Sequence, residues 1–253
     1  MDLGLSGAKA IIAGASRGIG LATAKTLSAE GCEVAICGRG AEAVEAAIAE
    51  ISHAGGRVIG RAVDITDAAA YRAWIEEAGA ALGGCDVFIP MASAGGGPAS
   101  EERWKAAFDL DLMGVYRGVE AALPLLECSR AGSIVVVATT AALEEFGGPQ
   151  AYNSMKAAVI NYASNMSQAL APKGIRVNTV SPGPIYIEGG AWNYVKDHMR
   201  PFYDATLAAI PMNRFGNAEE VARAIVFAAS PASPFMTGAN IVIDGGMTKR
   251  VQY

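Results

Sequence analysis

Short apolar runs alternate with longer amphipathic stretches along this chain. Most of the short runs are almost continuously apolar and rich in β-branched residues, which is typical of strands covered on both faces of a parallel sheet. The pattern predicts seven strands, at residues 10–13, 34–37, 58–59, 87–89, 134–137, 177–180 and 241–243.

The stretches between these runs have the length and periodicity of helices, which we predict at residues 18–30, 41–53, 67–82, 101–127, 150–171 and 218–229. Asp67 and Ser100 can act as N-caps. Gly31, Gly55 and Gly174 follow predicted helices and can stop them. Regular strand–helix alternation builds successive βαβ units. The sequence therefore predicts an α/β fold, a doubly wound (Rossmann-type) parallel sheet of seven strands with helices on both faces, in one domain over residues 1–253.

The segment from residue 181 to residue 211 interrupts this alternation. Its first ten residues contain several prolines and glycines, which disfavour regular structure, and a helix or two can follow from Trp192. The segment follows the sixth predicted strand, at the carboxyl edge of the sheet, where ligands bind in this architecture. We interpret residues 184–211 as a lid over a substrate, with an ordinary long connection as the alternative.

Composition narrows the class of protein. Of the 253 residues 52% are hydrophobic and 18% charged, which argues against disorder. The net charge is −5 and no basic run occurs, so neither nucleic acid nor a membrane surface is an expected partner. No apolar run reaches about 18 residues and the N-terminus lacks a cationic signal-like region, so we expect a cytoplasmic protein. Four cysteines without a C-x-x-C pair and only two histidines predict free buried thiols and no metal site.

A glycine-rich turn follows the first predicted strand. Gly14, Gly18 and Gly20 have the spacing G-x-x-x-G-x-G where the first helix begins. Glycine lets the backbone approach a pyrophosphate, and the free N–H groups of a helix start face the anion. We predict dinucleotide binding at this turn; the alternative is a tight turn that needs only flexible residues.

The end of the second predicted strand bears on the choice of cofactor. An NAD-type site has Asp or Glu about 20 residues beyond the glycine loop, where it binds the ribose 2′-hydroxyl. Here the strand ends Cys37-Gly38-Arg39, and Arg17 in the loop adds a second guanidinium. Paired arginines grip a 2′-phosphate through forked, charge-assisted hydrogen bonds. NADP(H) is therefore preferred to NAD(H), unless both arginines are simply solvated surface charges.

Tyr152 and Lys156 are four residues apart, on one face of a predicted helix. A fixed positive charge near a phenol favours the phenolate and brings its pKa, ordinarily about 10, towards use at neutral pH. The two residues are therefore a candidate acid/base pair, and an exposed pair of no consequence is the alternative.

Taken in order, these motifs resemble the short-chain dehydrogenase/reductase family, of the single-domain type, and are similar to 3-oxoacyl-acyl-carrier-protein reductases. The resemblance covers essentially the whole chain. It implies that Tyr152 and Lys156 are the catalytic pair. It further implies a cofactor site formed by Gly14, Ser16, Arg17, Gly18, Ile19, Gly20, Arg39, Asp64, Ile65, Ala92, Tyr152, Lys156, Pro182, Gly183 and Ile185.

The resemblance implies an NAD(P)-dependent enzyme that transfers hydride between nicotinamide and a carbonyl or secondary alcohol. Tyr152 would donate or remove the proton on oxygen, and Lys156 would bind the nicotinamide ribose and lower the pKa of the tyrosine. Thr139 stands at the position of the family's serine, with Thr140 as an adjacent substitute, and would polarise the substrate oxygen. Asp111 stands at the position of the family's asparagine, where a modified proton relay and a helix-surface acid both remain open.

Two further segments depart from the family pattern. Residues 90–93 read Pro-Met-Ala-Ser where the family has Asn-Asn-Ala-Gly, and Ile187 replaces a threonine beyond the proline–glycine turn. These departures leave a second hypothesis, a catalytically weak paralogue that senses NADP(H) or acts as a structural partner.

The substrate is the least determined part of the prediction. A 3-oxoacyl thioester and an alicyclic or steroid-like alcohol both remain open. We expect a rather apolar, aromatic pocket. Arg130 and Lys173 are candidate contacts for an acyl carrier, unless they only complement helix dipoles. The predicted helices at 101–127 and 150–171 are asymmetrically hydrophobic, which suggests that they are buried against other subunits. Together with the family resemblance, this predicts a homotetramer. The expected pocket residues are Glu144, Phe146, Tyr186, Trp192 and Tyr194.

Overall fold

The seven strands lie in one parallel sheet. The computed structural model describes residues 2–53, 56–97 and 99–251. Neighbouring strands follow the order β3-β2-β1-β4-β5-β6-β7, and all six pairings are parallel. The strands are β1 (Lys9–Ala13), β2 (Glu33–Gly38), β3 (Val58–Ala62), β4 (Val87–Pro90), β5 (Ser133–Val137), β6 (Arg176–Pro182) and β7 (Asn240–Ile243). The predicted fold class is confirmed, and β3 is longer than the sequence indicated.

Helices cover both faces of the sheet. Asp67 accepts hydrogen bonds from the amides of Ala69 and Ala70, and Ser100 accepts one from the amide of Arg103, so both predicted N-caps are present. Gly31 and Gly174 have φ of +85° and +74° just beyond helical segments. The predicted stop at Gly55 lies outside the described residues. The helices are α1 (Gly18–Ala29), α2 (Ala41–Ser52), α3 (Ala68–Leu82), α4 (Glu101–Ala107), α5 (Gly114–Leu126), α6 (Ala151–Leu170), α7 (Ala191–His198), α8 (Arg200–Ala209) and α9 (Ala218–Ala229).

One predicted helix is interrupted. Residues 101–127 were expected to form a single helix, but a π-helical segment, Phe108–Met113, separates α4 from α5. Directly after it, Gly114 packs so closely on Ile65 that a Cβ would lie 2.9 Å from Ile65 Cδ1. The wider π turn is a local feature that apolar periodicity does not reveal, and π turns occur frequently at functional sites.

Two apolar layers enclose the sheet. On one face α3, α5 and α6 cover residues such as Phe88 and Ile134, and on the other α1, α2 and α9 cover residues such as Ile12 and Ile36. Three of the four free cysteines are buried as expected, but Cys128 is exposed at the end of α5. In the described part of the chain, no helix combines the length and the apolar character needed to cross a membrane.

The strand order reverses between β1 and β4. After β3, at one edge, the chain returns to the centre and continues on the other side of β1. Loops that leave the carboxyl ends of β1 and β4 therefore diverge, and a crevice forms between them, which is where ligands bind in open parallel sheets.

Candidate active site

A cleft of about 620 Å³ lies at this crevice, along the carboxyl ends of the strands. The loop after β1, the ends of β2, β4, β5 and β6, the start of α6 and the first turn of α7 contribute to its walls. The predicted residues that line it are Gly14, Ser16, Arg17, Gly18, Ile19, Gly20, Arg39, Ile65, Ala92, Thr139, Tyr152, Lys156, Pro182, Gly183, Ile185 and Trp192.

The glycine turn is packed too tightly for larger residues. Gly14 has φ of +88°, and a Cβ there would lie 2.7 Å from the backbone of Ala92. A Cβ at Gly20 would collide with the carbonyl oxygen of Gly14. The turn therefore brings the backbone of the β1–α1 loop, with the unpaired N–H groups of the α1 start, directly to the cleft, a cradle that fits a pyrophosphate.

The end of β2 leaves no room for a carboxylate. At Gly38, a Cβ would lie 2.6 Å from Ser16 Oγ and 2.9 Å from Ser16 Cβ, so a side chain there would displace the serine. Arg17 and Arg39 are exposed on either side of this point and line the cleft. Among the described residues neither arginine forms an ion pair, so both guanidiniums are open to an anion. The residues present fit a cofactor that carries a 2′-phosphate.

Lys156 is buried on the inner side of the cleft, and three groups define its position. Its Nζ donates a 2.8 Å hydrogen bond to the carbonyl of Val137, at the end of β5. Asp111 Oδ1 lies 3.2 Å from the same Nζ, and Asp111 is fully buried. The ammonium also lies 5.9 Å from the centre of the Tyr152 ring. Asp111 is thus not a helix-surface acid, and it is placed behind the lysine rather than on the cleft wall.

Tyr152 is half-buried, with its ring at the cleft and Thr139 nearby. Burial and then the Asp111 carboxylate raise the pKa of Tyr152 to about 12, and the Thr139 hydroxyl partly offsets this. The resemblance implied a lowered pKa, caused by the lysine. In this structure burial and the Asp111 carboxylate act in the opposite direction, so Tyr152 stays a phenol to higher pH than an ordinary tyrosine.

Thr139, rather than Thr140, reaches the cleft. Thr139 Oγ1 accepts a 3.3 Å hydrogen bond from the Ala141 amide, at the start of a short 3-10 turn, Thr140–Ala142. Because this bond uses only a lone pair of the oxygen, the hydroxyl keeps its hydrogen for a second partner, which is Tyr152 in this structure and can be a substrate oxygen instead.

Asp64 lies beside the cleft without lining it. Its Oδ1 accepts hydrogen bonds from the amide and hydroxyl of Thr66, at 3.0 and 2.8 Å. These two bonds, and more weakly the charge of Arg39, lower the pKa of the exposed Asp64 carboxyl. Of the two neighbouring residues expected at the cofactor site, Ile65 lines the cleft and Asp64 does not.

The predicted pocket residues separate into two groups. Trp192 lines the cleft and stacks on Phe202 with ring centres 5.9 Å apart, and Phe146 packs against both rings. Phe215 lies 4.9 Å from Trp192 and joins the same cluster. Phe146 therefore supports the wall from behind.

The other predicted pocket residues are directed away from the cleft. Glu144 Oε1 accepts hydrogen bonds from the amides of Lys249 and Arg250, both at 2.9 Å. Tyr186 packs under Lys196, and the exposed Tyr194 stacks on His198. The two candidate acyl-carrier contacts lie elsewhere again: Arg130 precedes β5 and Lys173 precedes β6, so both are at the amino edge of the sheet, opposite the cleft.

Several residues that line the cleft were missed by motif reasoning. Most of them lie just beyond a strand or next to a motif residue, and the carboxyl-edge rule for parallel sheets was the available signal. They are Cys37, Gly40, Ala43, Val63, Leu110, Val137, Ala138 and Ala191, together with Met91, Ser93 and Ile187, which were noted only as departures from the family pattern.

Comparisons with known proteins agree with this site. A family model described as enoyl-(acyl carrier protein) reductase matches residues 14–248. Isoepoxydon dehydrogenase of Penicillium expansum is 35% identical, over 100% of this chain and 99% of its own length. The 3-oxoacyl-[acyl-carrier-protein] reductase of Chlamydia pneumoniae is 30% identical, over 98% of this chain and 100% of its own.

A solved structure extends the agreement to the fold. The NADPH-bound short-chain oxidoreductase of Pseudomonas aeruginosa PAO1, described as containing an atypical catalytic center, superimposes with a TM-score of 0.88. It is 31% identical, and the match covers 96% of this chain and 98% of that one. With its sheet order, its cleft and these relatives, the chain belongs to the short-chain dehydrogenase/reductase family of oxidoreductases.

Proposed function

We propose that this protein is an NADP(H)-dependent oxidoreductase that interconverts a carbonyl and a secondary alcohol. The observation that carries the proposal is one continuous cleft that joins the glycine turn, two unpaired arginines and the Tyr152–Lys156–Thr139 group. Bound NADP(H) supplies the hydride, and the residues of the chain bind, orient and move the proton.

Each catalytic side chain has one assignable task. Tyr152 Oη gives its proton to the substrate oxygen in reduction and takes it back in oxidation. The Thr139 hydroxyl donates to the same oxygen and fixes its position. Lys156 donates one N–H to the Val137 carbonyl and forms an ion pair with Asp111. The ammonium has three N–H donors, so at least one remains for the ribose hydroxyls of the cofactor.

The cofactor preference rests on charge at the rim of the cleft. Arg17 and Arg39 can bind a 2′-phosphate from two sides, and the crowding at Gly38 removes the place of a ribose-binding acid. NAD(H) lacks the phosphate and would leave both guanidiniums without an anion.

For the substrate we propose a compact alicyclic ketone or alcohol. Trp192, Met91 and Leu110 give the substrate end of the cleft an apolar, partly aromatic wall. Arg130 and Lys173 are at the opposite edge of the sheet, so they do not support docking of an acyl carrier at this cleft. The similarity to an isoepoxydon dehydrogenase supports the same choice.

Residues 184–211, with α7 and α8, form the proposed lid within a single domain. We further propose a cytoplasmic homotetramer, as the family resemblance implies.

The proposed reaction is tested by following NADPH oxidation with a panel of cyclic and acyclic ketones. We expect turnover with at least one cyclic ketone, and a loss of about 10²–10⁴-fold in kcat for Tyr152→Phe, because the proton donor is removed. NADPH binding, measured by fluorescence titration, should be unchanged in that variant. Tight NADPH binding without oxidation by any carbonyl would favour the sensor hypothesis, and full activity of Tyr152→Phe would exclude the assigned mechanism.

A further inference from the structure

A buried carboxylate connects the catalytic lysine to the loop beyond β4. Asp111 Oδ1 faces Lys156 at 3.2 Å, and Asp111 Oδ2 accepts a 3.1 Å hydrogen bond from the amide of Ala94. Both charged side chains are almost completely buried. One carboxylate therefore contacts both the catalytic group and the loop whose side chains depart from the family pattern.

The contact between Asp111 and Lys156 is an ion pair rather than a directed hydrogen bond. Asp111 Oδ1 has no hydrogen-bond partner in acceptable geometry among the described residues, although the ammonium lies within 3.2 Å. The ammonium's directed bond goes to Val137. The carboxylate thus acts on Lys156 mainly through its charge, which is little screened in a buried site.

The π-helical segment Phe108–Met113 gives Asp111 this position. Leu110, one residue earlier, lines the cleft, whereas Asp111 is completely buried beside α6. The side chain is therefore held within the protein, shielded from bulk solvent.

Several charged groups on the surrounding elements have contacts of their own. Their known contacts are Arg103 of α4 with the Ala94 carbonyl, Lys105 with Glu101, Arg117 of α5 with the Thr66 carbonyl, Glu144 with the amides of Lys249 and Arg250, and Glu145 with the Gly148 amide. Asp109 lies on the same π segment and is half-buried. Within the described residues, Asp111, Lys156 and Tyr152 are thus the titratable groups that act directly on one another.

We propose that Asp111 is a positioning residue that holds Lys156 against the Val137 carbonyl and offsets its charge, so that Tyr152 rests as a phenol, ready to give a proton to a carbonyl oxygen. This inference rests on the proposed function. A lysine without a carboxylate beside it would stabilise the phenolate, the form that removes a proton from an alcohol. Asp111 thereby keeps Tyr152 in the protonated form that reduction needs over a wide pH range, and it moves the onset of alcohol oxidation to alkaline pH.

The sign of the effect follows from charge. The negative carboxylate disfavours a second negative charge on the phenol, and burial acts in the same direction, which together place the pKa of Tyr152 at about 12. Asp111→Asn keeps the size of the side chain and removes its charge. We expect this change to lower the pKa of Tyr152 by about one pH unit or more.

The decisive measurement needs neither cofactor nor substrate. Tyrosine isotopically labelled at Cζ reports phenolate formation by NMR during a pH titration, and Tyr152→Phe identifies the signal of Tyr152. Asp111→Asn should form the Tyr152 phenolate at lower pH than the unsubstituted protein. Asp109→Asn, which removes the same charge from the same π segment, should leave that titration unchanged. A purely structural role for Asp111 would change the melting temperature without moving the Tyr152 signal.

Two results would overturn the inference. One is a folded Asp111→Asn variant whose Tyr152 titrates as in the unsubstituted protein. The other needs no variant: a Tyr152 phenolate that forms below the ordinary tyrosine pKa of about 10 in the unsubstituted, cofactor-free protein. With an active ketone in hand, the alkaline limb of kcat for reduction should also move to lower pH in Asp111→Asn. Absence of any turnover would refute the proposed function but leave the NMR result valid.

Discussion

At the scale of single residues, the cleft has two different electrostatic regions. Its rim carries Arg17 and Arg39 without ion-pair partners among the described residues, whereas the inner charge of Lys156 is balanced by Asp111. In the proposed function, the positive rim holds an anion of the cofactor and the neutral interior leaves proton transfer to Tyr152. Under that proposal the two regions separate cofactor selection from acid/base chemistry.

Cofactor selection can be tested at the rim. Replacing Arg17 and Arg39 with alanine should raise KM for NADPH about ten- to a hundredfold, because charge-assisted hydrogen bonds to the 2′-phosphate are lost. KM for NADH should change little, since it has no such phosphate. Arg72→Ala, an exposed arginine on α3, serves as the control. Steady-state kinetics with both cofactors gives the comparison, and a parent enzyme with lower KM for NADH than for NADPH would contradict the prediction.

At the scale of elements, α7 and α8 complete the cleft through aromatic packing. Trp192 at the start of α7 contacts the cleft on one side and Phe202 of α8 on the other. Phe146, from the loop before α6, joins them, so aromatic contacts connect α7 and α8 to this loop. An apolar attachment of this kind can open without breaking buried ion pairs.

Removing the Trp192 ring should weaken substrate binding more than cofactor binding. We expect Trp192→Ala to raise KM for the active ketone about tenfold, because apolar contact area is lost at the cleft wall. The NADPH dissociation constant should change less, and limited proteolysis within residues 184–211 should become faster. Tyr194→Ala, on the exposed side of the same helix, should behave like the parent. Equal KM values for Trp192→Ala and the parent would argue that the segment is an ordinary connection.

At the scale of the whole molecule, α4, the π segment and α5 present apolar side chains outward. The residues Trp104, Phe108 and Tyr116 are 41%, 46% and 43% exposed, and they follow one another along these helices. Tyr116 also contacts Tyr162 of α6, with ring centres 6.3 Å apart. An aromatic surface formed by adjacent helices is suited to burial against another copy of the chain.

The oligomeric state provides the test at this scale. Light scattering of the purified protein should give the mass of four chains. Tyr116→Glu should reduce that mass, because burying an unpaired carboxylate in an interface is unfavourable. Tyr194→Ala again serves as the control, since its ring lies on the lid. A monomer at all concentrations would contradict the homotetramer.

The sequence by itself determined the sheet, the helices on its two faces and the place of the glycine turn. Strand and helix periods are local properties, and the topological rules for parallel sheets leave few ways to assemble them. The N-caps at Asp67 and Ser100 were predictable for the same reason, because a cap needs only its own next turn.

Tertiary structure alone decided the environment of Tyr152 and Lys156. Asp111 and Lys156 are 45 positions apart in the sequence, and only the π segment and the packing of α6 bring their charges within 3.2 Å. The position of the Glu144 side chain is also decided by tertiary structure, because the amides that it binds belong to the distant residues Lys249 and Arg250. Burial and long-range charge determine a pKa, and neither can be read from residue spacing. The sequence thus singled out Tyr152 and Lys156 as candidates, and the fold placed a buried carboxylate beside the lysine.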